Sequence, residues 1–262
     1  TYNYTNATDG SVVIQNFGTI NYTGLEPIAN PGNATNIIFN LPGTADPNIS
    51  LTDLVAGTSA RLTTTTPTFE QTDFNIPAGG GSITINMGAN NQTIAVGALT
   101  LNASTALTIN GDGGGSDVVT FNAGPSNLSS LTVSSETINV NTASLTTTGD
   151  QTYTGDIALQ ATTELDGANI NVTGGISGAA SLTLDGTTDV SGTIGTDVVN
   201  LTVETGALTA GTIDITGNLD ADQNVETDTG AILVDGTADT EGTLIGETGV
   251  DIGGTSDLGG DV

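Results

Sequence analysis

From Ile138 to the end of the chain an aliphatic residue returns about every nineteen positions: Ile138, Ile157, Ile176, Ile194, Ile213, Ile232 and Val250. A second series keeps step through Leu145, Leu165, Leu182, Leu201, Leu219 and Ala238, and a third through Tyr153, Ile170, Val190, Leu208, Val225 and Leu244. Three apolar series on one period describe a chain wound into coils of three short strands, like residues stacked over like. One coil cannot bury its apolar side chains alone, so each needs neighbours above and below. The expected fold is all-β: a right-handed parallel β-helix, a three-faced β-solenoid with coils of about 19 residues. The hand follows from the strong preference of parallel crossovers.

The local pattern is alternation: Ile138-x-Val140, Leu182-x-Leu184, Leu201-x-Val203, Ile213-x-Ile215, Ile232-x-Val234. Period two sends both apolar side chains to one face and the residue between to the other. The residues between are mostly Thr, Asn and Asp, and the runs end in Gly, Asp, Asn or Thr-Gly, which accept turn geometry at little steric cost. The C-terminal two-thirds holds no stretch with apolar residues at three-and-four spacing, so helices are not expected there. The pattern reads back, less regularly, through Leu128, Val119, Leu99 and Ile83. With parallel strands about 4.8 Å apart, roughly nine coils would make a rod on the order of 45 Å long.

Residues 1–80 differ. They hold most of the Pro, four of the five Phe and the only Arg, and their strand-like runs at 11–15, 19–22 and 36–41 are irregularly spaced. This stretch reads as an irregular N-terminal β cap or lead-in module, with a small separate β-domain as the alternative, and residues 81–262 as the β-solenoid. A cap suits a solenoid because an end coil otherwise exposes its core and an unpaired strand edge.

With 3% aromatic residues and no Trp, a conventional globular core would lack its usual large side chains. The chain has no Cys, so disulfide and thiolate chemistry are absent. It has no His or Lys, Arg61 is its only basic side chain, and the formal charge is −28. Nucleic acid is not an expected partner, because no basic patch exists to release counterions. Anionic membrane surfaces are excluded on the same ground, and no segment is long and apolar enough for a helical span. No signal peptide or initiating Met is visible, and the sequence reads as a processed chain or a piece of a longer one.

Eight acids precede residue 130 and twenty-one follow it. Asp185, Glu204, Asp222 and Glu241 each stand three positions after a residue of the Leu series, which predicts a column of carboxylates one coil apart. Two unit charges about 4.8 Å apart repel by roughly 0.9 kcal/mol in water. Bound cations would relieve this, and Ca²⁺ is the cation that oxygen-rich flexible turns favour. The run Asn110 to Val119, NGDGGGSDVV, partly matches the Gly- and Asp-rich nonapeptide that binds Ca²⁺ in β-rolls, making Asp112 and Asp117 further candidate ligands. A Gly-rich turn between coils is the competing reading of that single copy, and solvated acids that of the column.

Nucleophilic triads lack their His, phosphate loops their Lys, and zinc sites both His and Cys. Acid pairs such as Asp220 with Asp222 could meet glycosidase spacing by chance. Asn-x-Ser/Thr triplets, including Asn3, Asn21, Asn33, Asn91, Asn102, Asn171 and Asn200, are compatible with glycosylation. A flat Thr ladder would suit ice, but the outward positions Thr146, Asp166, Thr183, Thr202 and Asp220 are interrupted by charge, which ranks that reading low.

The run Thr147 to Gly195 opens with TTGDQTYTG and continues through TELDGANI and GAASLTLDG. It resembles repeats of bacterial large exoproteins of the filamentous-haemagglutinin type. The run Thr5 to Ile28, TNATDGSVVIQNFGTINYTGLEPI, resembles a segment of very large extracellular proteins of planctomycete-like bacteria, which there precedes Gly- and Asn-rich β-repeats. The resemblance covers about a third of the chain and implies a secreted or surface-attached fibre or adhesin segment. The amino-terminal secretion module of haemagglutinin-type exoproteins is not seen. The leading expectation is a non-enzymatic extracellular spacer or fibre, joined end to end with itself or to neighbouring domains. An adhesin module binding a glycan or surface receptor is the alternative. A Ca²⁺-dependent polysaccharide enzyme comes third.

Overall fold

Alternating apolar residues punctuated by Gly and Asn become short strands throughout the computed structural model, which describes residues 1–24, 27–111 and 114–258. The fold is all-β, with no helix among the described residues. The chain divides into two compact units, Thr1–Ile138 and Asn139–Val262.

In the second unit, strands pair in parallel with the strand one repeat further on. The Ile series stacks in register: Ile157 on Ile176, Ile194, Ile213, Ile232 and Val250. The other two series each resolve into a pair of columns. Leu165 stacks on Leu184, not on Leu182, while Leu182 stacks on Thr163. One column thus runs Leu145, Leu165, Leu184, Val203, Ala221, Thr240, and its neighbour Thr163, Leu182, Leu201, Leu219, Ala238. The third series divides likewise into Gln151, Ile170, Thr188, Leu208, Val225, Leu244 and Tyr153, Val172, Val190, Ala210, Thr227. The difference has a simple cause. In an L-x-L strand both Leu residues face inward, so pattern alone leaves the register open by two residues.

Polar residues inside these columns are satisfied locally. Buried Thr163 donates to the carbonyls of Thr142 and Ala161, and Thr227 donates to that of Gly230. Fully buried Gln151 donates to the carbonyls of Leu145 and Asp166 and accepts the Tyr153 hydroxyl at 2.7 Å. Burial raises the Tyr153 pKa, so the phenol remains a donor to Gln151. Between strands, Asn side chains carry the bonding from one repeat to the next. Asn200 Oδ1 accepts the Asn218 N–H at 2.9 Å, Asn218 Oδ1 that of Thr237 at 2.9 Å, and Asn224 Oδ1 that of Thr243 at 3.0 Å.

The first unit stacks in the same parallel sense with longer steps. Ile37, Ile83, Leu107 and Leu131 form one buried column, and Phe39, Ile85, Ile109 and Val133 the next. Ile49, Ile94 and Val119 run beside Leu51, Val96 and Phe121 on another side. The first step spans 46 residues and the next 24. The surplus in the first step is largely an antiparallel extension, Asp46–Val55 with Ser59–Thr64 and Thr72–Asn75. Antiparallel pairing, here and in the hairpin Gly10–Ile14 with Gly18–Tyr22, accounts for the irregular spacing of residues 1–80, and parallel pairing continues from before residue 80 to after it. Aromatic rings fill the core here: Tyr2 stacks on Phe39 at 5.1 Å, Phe39 meets Phe74 at 5.0 Å, and Tyr4 meets Phe69 at 5.1 Å.

Candidate metal centre

Parallel register places outward-facing residues of successive repeats over one another about 4.8 Å apart, so the acids of the second unit gather by stacking. Asp166 lies beside Asp185, and Asp220 beside Asp239, which in turn lies beside Asp257. Register shifts after Leu184, where Asp185 pairs with Thr205 and Glu204 becomes the extra residue of the neighbouring strand. That shift gathers Glu164, Asp185 and Glu204, each offering a carboxylate oxygen within 4.8 Å of the others. Glu164 and Asp185 are half-buried and Glu204 is exposed. Asp185 also accepts a hydrogen bond from the Thr205 hydroxyl.

The electrostatics reflect this crowding. Burial, followed by the charges of Glu204, Asp166 and Asp185, raises the Glu164 pKa above its ordinary value. Burial and the Asp185 charge raise that of Asp166, partly offset by a hydrogen bond from Thr146. The donor set is all oxygen, which suits a hard cation. Ligands on opposite sides of a Ca²⁺ ion, each at about 2.3–2.6 Å, lie roughly 4.6–5.2 Å apart. The three carboxylates therefore fit one such ion, with water completing the shell on the exposed side.

Of the six candidates named from sequence, Asp185 and Glu204 come together. Asp222 and Glu241 join no such acidic group among the described residues. Their backbone N–H groups donate to the carbonyls of Val203 and Ala221, one repeat back. Asp112 lies outside the described residues. Asp117 is fully buried and bonded to neighbouring repeats. Its Oδ1 accepts the Gln92 N–H at 2.8 Å, its N–H donates to Glu136 Oε2 at 2.7 Å, and its carbonyl accepts the Ser135 hydroxyl at 2.8 Å. A Cβ at Gly111 would come within 2.8 Å of Asp117 Oδ2, so this glycine is required for close packing.

Glu164 was not among the sequence candidates. The pairing of Leu165 with Leu184 sets Glu164 beside Thr183, two residues from Asp185 on the neighbouring strand.

Arg61 forms a bidentate pair with Asp73, Nε to Oδ1 at 2.6 Å and Nη2 to Oδ2 at 2.8 Å, across antiparallel strands. A shallow groove of about 350 Å³ is lined by Leu244, Ile245, Gly246, Gly249 and Val250, none of them titratable. Several glycosylation triplets use their amides structurally: Asn3 hydrogen-bonds Asn40, Asn102 donates to the Pro77 carbonyl, and Asn200 bonds Ser181 and Asn218. Asn21, Asn33 and Asn171 are exposed. No protein-family model, curated protein or solved structure matches the chain.

Proposed function

We propose that the chain is a non-enzymatic structural segment of a large secreted or cell-surface protein: a stiff extracellular spacer built as a right-handed, three-faced parallel β-helix. The observation that carries this reading is the continuous stacking of the Ile column from Ile157 to Val250, supported by backbone bonds between repeats such as Leu201 N–H to Asn218 O and Leu219 N–H to Thr237 O. Nearest-neighbour stacking of this kind gives length and stiffness without a large globular core. The sole guanidinium is paired with Asp73, and the chain has no other basic side chain to serve as a lyase base. The resemblance of residues 147–195 to haemagglutinin-type repeats points the same way. Calcium at Glu164, Asp185 and Glu204 would add to stiffness by tying three successive repeats.

Single-molecule stretching of the full chain between terminal handles tests the reading. A spacer resists extension and unfolds in steps of whole repeats. Extension at the low force of an unstructured polymer, or turnover of acidic or neutral polysaccharides by the same preparation, would reject it.

One observation favours adhesion as a second reading. The hairpin Gly10–Ile14 with Gly18–Tyr22 exposes Phe17 (88%), Ile20 (59%), Ile14 and Val13 at its tip. Deleting residues 1–80 would not test this cleanly, because Ile37 and Phe39 support Ile83 and Ile85. Phe17→Ser with Ile20→Ser is the better probe. Under the adhesin reading it abolishes cell or glycan binding while thermal unfolding stays unchanged, and retained binding rules that reading out.

A further inference from the structure

One sheet face of the first unit is free of charge although the chain carries −28. It is formed by Asn36–Asn40, Ser82–Asn86 and the parts of Thr100–Asn110 and Ser126–Val140 that pair with them. Its outward residues form three columns: Asn36, Ser82, Ala106, Ser130; then Ile38, Thr84, Thr108, Thr132; then Asn40, Asn86, Asn110, Ser134. Asn36 is exposed and the remainder are partly exposed. The alternate residues, from Ile37 and Phe39 to Leu131 and Val133, are buried beneath.

The amide groups on this face are also fixed in orientation. Asn40 Nδ2 donates to Asn3 Oδ1 at 2.6 Å, Asn86 Nδ2 to Asn40 Oδ1 at 2.6 Å, and Asn110 Nδ2 to Asn86 Oδ1 at 2.8 Å. Ser82 Oγ donates to Asn36 Oδ1 at 2.9 Å. Thr is β-branched and stiff at its first side-chain torsion. The result is a rigid array of hydroxyl, amide and methyl groups, repeating about every 4.8 Å across the strands and about every 6.6 Å along them.

We propose that this face binds the surface of ice. An ice surface is uncharged and periodic, and holding it takes many weak contacts from a receptor that is itself uncharged, periodic and already ordered. Other occupants fit less well. A second copy would bury roughly 300 Å² here, from the strand spacing and rise, against about 800 Å² per partner in a stable protein interface. No aromatic ring stands in the columns to stack on a sugar. A charged ligand meets no opposite charge. The interrupted ladder of the second unit, where Thr146 is followed by Asp166 and Asp185, would hold hydration shells incompatible with a lattice. The uninterrupted column Thr84, Thr108, Thr132 recurs at a step of 24 residues, outside the nineteen-residue period.

The test is capture by slowly growing ice, comparing the full chain in the frozen and liquid fractions. Thr108→Asp places a charge at the centre of the face, Thr84→Tyr raises a bump without charge, and Asn122→Asp adds the same charge at an exposed turn. Circular dichroism confirms that each variant folds. The expected result is capture of the wild type and Asn122→Asp, with both face variants falling to the level of an inert protein. Exclusion of the wild type from ice overturns the proposal. So does undiminished capture of a folded face variant, or a concentration-dependent dimer that only the face variants abolish.

Discussion

The stacking of Leu165 on Leu184 gives the most direct test of register, because the alternative partner, Leu182, lies only two residues away on the same buried face. Leu165, Leu182 and Leu184 are all fully buried. Truncating any of them to Ala removes three carbon atoms, worth about 2.4 kcal/mol at roughly 0.8 kcal/mol per group. The cavity left behind brings each single variant to about 3 kcal/mol. Leu165 also touches Leu145 on its other side, so about a third of its lost contact is shared with Leu184. The double variant Leu165→Ala with Leu184→Ala should therefore cost about 1 kcal/mol less than the sum of the singles, as expected for residues in contact. Leu165→Ala with Leu182→Ala joins diagonal neighbours and should add within about 0.5 kcal/mol. Urea unfolding followed by circular dichroism, at constant m-value, measures all five variants. Stronger coupling of Leu165 to Leu182 than to Leu184 would show that the register is shifted by one inward position, and the carboxylate geometry derived from it would fall with it.

Further predictions concern the acids, a glycine and the amide ladder. Burial and like charges raise the Glu164 and Asp166 pKa values, so the folded state binds protons more readily than the unfolded chain. Stability should then rise as pH falls from neutrality through the raised folded values toward the ordinary ones, and Glu164→Gln should shrink that rise in melts at pH 7 and pH 5. Millimolar CaCl₂ should raise the melting temperature beyond an NaCl control of equal ionic strength, with the excess absent in Asp185→Asn; equal shifts in both proteins would exclude the three-carboxylate site. Gly186 has φ +143° and its missing Cβ would collide with the Gly167 carbonyl, so Gly186→Ala should cost at least about 2 kcal/mol in urea melts. Gly80, at φ +83° with open space around it, should lose only about 1 kcal/mol on the same change. Asn86→Ala breaks a donor and an acceptor contact at once, to Asn40 and Asn110, and should cost about 1–3 kcal/mol by the same assay.

The all-β class was legible because alternation and turn residues are local signals, and the Ile column was legible because its members pair at a near-constant step of 18 or 19 residues. Residues such as Leu182 and Leu184 were not separable by pattern, since both satisfy the inward requirement and only hydrogen-bond pairing selects between them. The acidic column inherited that ambiguity. Asp185 and Glu204 fall three positions after their series members, yet what brings them to Glu164 is a register shift beyond the reach of any fixed period. In the first unit, an antiparallel insertion between Asn36–Asn40 and Ser82–Asn86 hid the stacking of Ile37 on Ile83. Tyr153 was legible as the first member of the third series, whereas its buried partner Gln151 was legible only as part of the resembling run QTYTG, and their hydrogen bond supplies the physical role.

The same register that stacks the aliphatics also stacks the acids, and magnitudes decide which dominates. Asp220, Asp239 and Asp257 lie in one column, and each adjacent pair at about 4.8 Å repels by roughly 0.9 kcal/mol in water. Against this, a repeat such as that containing Ile213, Leu219 and Val225 buries three aliphatic side chains almost completely. Each contributes about 1.5–3 kcal/mol. Aliphatic burial outweighs acidic repulsion severalfold at every repeat where both are complete. Acidic repulsion is thus the smaller of these two terms at such a repeat. An ion at Glu164, Asp185 and Glu204 would act as a local brace where the register shifts.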